Sequence, residues 1–148
     1  EKAAVDSMTR LNKAARDAAR DLRVHAATDV TGFSLSGHSL EVAENSGVTV
    51  EIDTAKVPIL TEAEELARFG FIPEGMYNNL DWVNGKIYYS PSIPLEKRDL
   101  MLDPQTSGGL LFFLPMEDAE TLVKRMDKDY VRIIGRVKKK GEYSVEFI

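Results

Sequence analysis

Cysteine is missing from all 148 residues. That excludes a disulfide framework, a thiolate zinc site and a cysteine nucleophile within this chain. Histidine is scarce: His25 and His38 are the only two, too few for a multi-histidine metal site. No apolar run approaches the ~18–20 residues of a membrane-spanning helix. Positive charge is in deficit, with 19 lysines and arginines against 24 acids and a formal net charge of −5. A main role in nucleic-acid binding is disfavoured, because neutralising phosphates needs a basic footprint. Internal repeats, internal linkers and low-complexity tracts are also missing.

What is present is the composition of an ordinary folded domain, 43% hydrophobic and 29% charged. A chain of this length buries about 68–70% of its unfolded surface, enough for one core without cross-links. Glu1 stands where an initiator methionine would, and no basic-then-apolar leader precedes the first helical pattern. Both features predict one domain of a longer polypeptide.

Ala4, Met8, Leu11, Ala15, Ala18 and Leu22 repeat at spacings of three and four, which predicts one long amphipathic helix over about 3–22. His25 to Val30 reads as a short extended segment. A second helix follows Thr31-Gly32-Phe33 and stops at Gly47, where a left-handed conformation is easy for glycine. Val48 to Ile52 reads as a strand. Thr61-Glu62-Ala63-Glu64 has the pattern of a capping box opening a helix to about Phe69. Residues 71–85 hold Pro73, Gly75, Asn78, Asn79, Asn84 and Gly85 and read as a long loop. Lys86 to Tyr89 predicts a strand, and 95–101 a short helix. Leu110 to Leu114 reads as a buried central strand. Met116 to Met126 is helical, and two strands around a turn at Lys138-Lys139-Lys140-Gly141 close the domain. Helices and strands mix without strict alternation, so the predicted class is α+β, a mixed sheet with helices packed on it.

Two segments can carry chemistry. In Thr28-Asp29-Val30-Thr31-Gly32-Phe33 an acid leaves a strand end before a helix start. Asp29 is a hard oxygen ligand of the kind Mg²⁺ accepts beside phosphates, and the amides near Gly32 favour an anion. Asp29 or Thr31 serves equally as a plain N-cap. Asp103-Pro104-Gln105-Thr106-Ser107-Gly108-Gly109 runs into the apolar strand, and its glycines let backbone approach a ligand. The same glycines also suit a tight turn, and the stretch lacks a P-loop's lysine and spacing. His38 is a candidate base, although a packed histidine is the commoner case. Trp82 can stack on a base or simply anchor a loop.

Together these segments resemble one family, the selenophosphate synthetases (selenide, water dikinases). The resemblance rests on Ser7 to Lys13, His25 to Phe33, Gly37-His38, Asn78-Asn79 and above all Asp103 to Leu111, and it spans about residues 3–137. It is to the C-terminal domain only. Aminoimidazole ribonucleotide synthetase, thiamine-monophosphate kinase and a hydrogenase-maturation protein share this architecture and the Asp-x-Thr-x-Gly pattern of residues 29–32. The resemblance implies a C-terminal domain of the aminoimidazole ribonucleotide synthetase-like fold. It implies production of selenophosphate, AMP and phosphate from selenide, ATP and water, with Mg²⁺, in the cytoplasm. It also implies an N-terminal domain as partner, which supplies most metal carboxylates, a lysine and a cysteine or selenocysteine. The dimer contacts of a homodimeric full-length protein would come mainly from that domain.

By matching position, Asp29 would be the metal carboxylate lent by this domain. Thr28, Thr31 and Gly32 would shape its loop, while Thr106, Ser107, Gly108 and Gly109 would line the phosphate end of the cleft. No residue of this chain is assigned a catalytic role, and the chain by itself is expected to be inactive. Ser34 and Ser36 depart from the family pattern, which more often has glycine and an apolar residue there. A non-catalytic module of the same fold, or another ATP-dependent member of the superfamily, are the alternatives.

Overall fold

Val48 to Ile52 is the strand around which the larger sheet is built, because β-branched residues suit a pleated surface buried on both faces. The computed structural model describes residues 2–126 and 130–148. In chain order the elements are α1 (Lys2–Met8), α2 (Lys13–Ala19), β1 (Ala26–Asp29), α3 (Ser34–Ser46), β2 (Val48–Ile52), α4 (Ala63–Arg68), α5 (Glu74–Val83), β3 (Ile87–Tyr89), α6 (Leu95–Leu102), β4 (Leu110–Phe113), α7 (Met116–Arg125), β5 (Gly135–Lys139) and β6 (Val145–Phe147). Four strands form one sheet in the order β3-β6-β2-β5. β2 pairs antiparallel with β5 and parallel with β6, and β6 pairs parallel with β3. A separate two-stranded antiparallel ribbon joins β1 to β4. The α+β reading with a mixed sheet therefore holds, with the strands divided between two sheets.

The core lies between the four-stranded sheet and helices α3, α5 and α6. Leu40, Ile52, Met76, Leu102, Val145 and Phe147 are all but fully buried there. Helix α3 ends as its sequence predicts, with Gly47 left-handed at φ 63°. The other face of β2 carries Glu51, which accepts hydrogen bonds from Lys138 Nζ (2.9 Å) and Arg136 Nε (2.7 Å). Lys138 and then Arg136 hold its carboxyl below the usual range. Glu146 also accepts from Lys138, at 2.6 Å.

Five expectations need correction. The long first helix is two short ones, broken at residues 9–12. The Thr9 hydroxyl turns back to the Val5 carbonyl (2.8 Å), α1 buries no residue, and short helices without packing are marginal. The capping box does not form: Glu62 precedes α4 with φ 73° and no side-chain cap bond, while Glu64 lies 3.5 Å from Lys97.

Residues 74–83 are helix, not loop. Pro73 sits at the N-cap, where its missing N–H is harmless. Gly75 is needed because Pro104 lies against it: a Cβ there would be 2.7 Å from the proline Cγ. The Leu110–Phe113 run is half-buried on the two-stranded ribbon, not a buried central strand. Finally, β5 and β6 form no hairpin. They flank β2 on opposite sides, and Lys138 and Lys139 belong to β5 itself, where opposite charges on neighbouring strands hold Lys138.

Candidate functional site

The two chemistry-bearing segments meet at the end of the β1–β4 ribbon. Antiparallel pairing sets Asp29 opposite Leu110, so the chain leaving β1 runs beside the chain entering β4. The stitching continues past the strands. Val30 donates its N–H to the Gly109 carbonyl and accepts from the Gly108 N–H, both at 2.9 Å. The Thr31 carbonyl accepts from the Gln105 N–H (3.0 Å) and from the Ser34 N–H (2.9 Å). Gly108 has a packing reason to be glycine, since a Cβ there would stand 2.8 Å from the Val30 carbonyl oxygen. Gly109 and Ser107 adopt φ of 96° and 57°, which turns the loop sharply into β4.

Asp29 is exposed at the strand end, and among the described residues its carboxylate has no hydrogen-bond or ion-pair partner. It is not an N-cap: α3 begins five residues later, and its start carries no side-chain cap bond. The Thr28 hydroxyl is spent on the Asp29 carbonyl (3.0 Å). Gly32 is exposed, its φ is not left-handed, and an added Cβ would meet nothing within 4 Å. Nothing in this chain's own packing demands glycine there. Thr106 and Gly108 are exposed, and Ser107 and Gly109 half-buried, on the adjoining loop. No group of three or more histidine, aspartate or glutamate side chains could hold a metal among the described residues. This chain therefore offers Asp29 as a single carboxylate, which fits one corner of a Mg²⁺ shell otherwise filled by water, phosphate or other acids.

Behind the loop stands a rigid support that the sequence did not disclose. Asn79 on α5, 5% exposed, donates from Nδ2 to the carbonyls of Gly32 (3.0 Å) and Leu102 (2.9 Å). It ties the loop to two helices at once. Asn79→Ala strands both carbonyls and is expected to destabilise the fold by about 2 kcal/mol. Urea unfolding measures it, and a loss under ~0.5 kcal/mol would mean that the bonds are dispensable.

Ser36 explains one departure from the family pattern. Its hydroxyl donates to the Met101 carbonyl (2.8 Å) and lies 3.0 Å from the Tyr89 hydroxyl. Burial pushes the Tyr89 phenol up to about 12, with the Ser36 bond opposing. Ser34 explains the other: its φ is 68°, a conformation in which glycine carries no Cβ penalty. The serine keeps it while its Oγ accepts the Gly37 N–H (3.3 Å). Gln105 donates from Nε2 to the Asp103 carboxylate (2.8 Å). Burial raises the Asp103 carboxyl, and that bond pulls it partly back.

His38 is buried on α3 against the same loop. Its Nε2 lies 3.0 Å from the Thr31 hydroxyl and its Nδ1 3.0 Å from Glu41. His25 lies at the opposite end of β1 from Asp29, exposed. Trp82 stacks on Phe33, with ring centroids 5.4 Å apart, and so serves as an anchor beside the loop. The His38–Glu41 pair is detectable in the sequence only as an i,i+3 spacing on a helix, and Asn79, although part of the resemblance, gives no sign of a buried supporting role because asparagine reads as a turn former.

The profile of the family described as AIR synthase related protein, C-terminal domain, matches residues 2–148. The chain is 46% identical over 137 residues to a selenide, water dikinase of Clostridium botulinum strain Eklund 17B, covering 91% of this chain and 40% of that protein. It is 45% identical over 145 residues to the selenide, water dikinase of Caldanaerobacter subterraneus, covering 96% and 42%. Selenide, water dikinase 2 of Peptoclostridium acidaminophilum is 42% identical over 144 residues, covering 95% and 41%. The chain thus spans about two-fifths of the length of these curated relatives.

Proposed function

The chain belongs to the family of AIR synthase related C-terminal domains, and from that premise we propose that it is the C-terminal domain of a selenophosphate synthetase. The reaction is conversion of selenide, ATP and water to selenophosphate, AMP and phosphate. One observation carries the reading to the site: on the loop that residues 105–109 are stitched to, the Asp29 carboxylate is exposed and without a partner among the described residues, and Gly32 is exposed with nothing within 4 Å of where a Cβ would stand. An unpartnered carboxylate beside bare backbone is what a Mg²⁺–nucleotide phosphate group needs from one wall of a cleft. Asp29 would give the metal one oxygen. Thr28, Thr31 and Gly32 would shape that wall, and Thr106, Ser107, Gly108 and Gly109 would line its phosphate end. Bound Mg²⁺ would neutralise charge between phosphate oxygens.

This chain's own part is positional. Asn79, Gln105, Gly108 and Gly109 hold the loop rigid, so the carboxylate is presented without reorganisation. Phosphoryl transfer also needs a phosphate-binding cation and an oriented nucleophile. These are assigned to the N-terminal domain, the partner of this one, and the full-length protein is proposed to be a cytoplasmic homodimer. No helix of the described residues is long and apolar enough to cross a membrane.

The test compares two proteins. The full-length protein given selenide, ATP and Mg²⁺ should release AMP and phosphate, while the 148-residue chain should release neither. Release by the chain alone would refute the division of labour. A full-length protein active only on another acceptor would place it elsewhere in the superfamily.

A further inference from the structure

The Thr31 backbone is already fixed, since its carbonyl accepts two N–H groups, from Ser34 and Gln105. Its side chain nevertheless makes a further bond, to a buried imidazole on α3. The Glu41 carboxylate can only accept, so the His38 Nδ1 facing it carries the proton. In the neutral ring Nε2 is then the acceptor, and the Thr31 hydroxyl must donate to it. His38 and Glu41 lie one helical turn apart, the spacing at which side chains on a helix meet. Phe33 packs edge-on against the ring, with centroids 5.9 Å apart, and limits its rotation. His38 is 8% exposed, whereas Thr31 is half-buried and Glu41 partly solvated.

We infer that Glu41 and His38 are positioning residues that fix the Thr31 hydroxyl proton inward, so that the oxygen is offered to the ligand side of the loop only as an acceptor. Two residues from Asp29, such an oxygen suits the water shell of a divalent cation. It does not suit a phosphate oxygen, which would need the proton that His38 holds. The inference rests on the proposed Mg²⁺–nucleotide role of this loop for its ligand, but not for the tautomer. Its two consequences are read separately.

In the 148-residue chain labelled with ¹⁵N-histidine, only His25 and His38 give ring signals. His38 should show a protonated Nδ1 and an unprotonated Nε2. Thr31→Val should move the Nε2 signal, and Glu41→Gln should populate the opposite tautomer. A protonated Nε2 in the wild-type chain, or averaging between tautomers, would overturn the relay. In the full-length protein, Glu41→Gln and Thr31→Val should each raise the apparent Mg²⁺ requirement about fivefold to tenfold, the effect of one hydrogen bond, with the KM for ATP unchanged. Thr31→Ser should recover most of that loss. Equal rises for Mg²⁺ and ATP, or no rise, would overturn the cation-facing assignment. A full-length protein that makes no selenophosphate would sink the proposed function, while the labelled chain would still decide the relay.

Discussion

Asp29→Asn in the full-length protein should lower magnesium-dependent turnover by about two orders of magnitude, or ~2.7 kcal/mol of transition-state stabilisation. Asparagine keeps the size and hydrogen-bonding reach of the side chain and removes only its charge. The carboxylate has no partner among the described residues, so folding has no bond to lose. Surface substitutions without such partners stay within about 0.5 kcal/mol. Even a lost cap would cost only about 1 kcal/mol, too little to explain the expected drop. Turnover against Mg²⁺ concentration, with the melting temperature of the same variant, separates the two. Near-normal turnover at low Mg²⁺ would remove Asp29 from the proposed metal shell.

Gly135→Ala should be among the most damaging single-atom additions to this chain. Gly135 opens β5 opposite Ile52, and a Cβ there would fall well inside contact distance of the Glu51 carbonyl oxygen. The obstacle is backbone of the central strand, which cannot swing aside as a side chain would. Relief must come from parting β5 from β2, with strain on the Glu51–Arg136–Lys138 contacts. Overpacking of this kind costs about 3 kcal/mol. Gly32→Ala is the control, because its added methyl meets nothing, and its stability should match wild type within ~0.5 kcal/mol. Urea unfolding of the two variants side by side tests the contrast. Equal losses would mean that the sheet edge yields freely.

Where local signals agree with the packing, the fold is legible. Val48 to Ile52 and the stop at Gly47 can be read from the sequence because β-branching and a left-handed glycine act over a few residues. Residues 74–83 defeat the same logic. Pro73, Gly75 and Asn79 each resemble loop residues, yet tertiary structure uses them otherwise. Pro73 starts a helix, Gly75 admits the close approach of Pro104, and Asn79 satisfies a pair of carbonyls. The lysine run misleads because its pairing with β2 and the Glu51 carboxylate, both distant in sequence, make a strand of it. At the site, Asp29, Gly32 and the 103–109 stretch are each visible by residue type and by resemblance. Their meeting is not, since it depends on the register of β1 against β4.

The strand pairings also set how fast this protein can fold. Ala26 pairs with Phe113, Val48 with Lys139, Val50 with Val145, and Ile87 with Val145. Each closes a loop of dozens of residues before its first ladder bond forms, and loop-closure entropy must be overcome before the bonds repay it. With no hairpin among the described residues to act as a local nucleus, the longer helices α3, α5 and α7 are the segments able to organise early, and the four-stranded sheet must await residues 135–147. Because β5 and β6, which close the sheet, lie within residues 135–147, a ribosome would release this domain almost entire before it could commit to its fold.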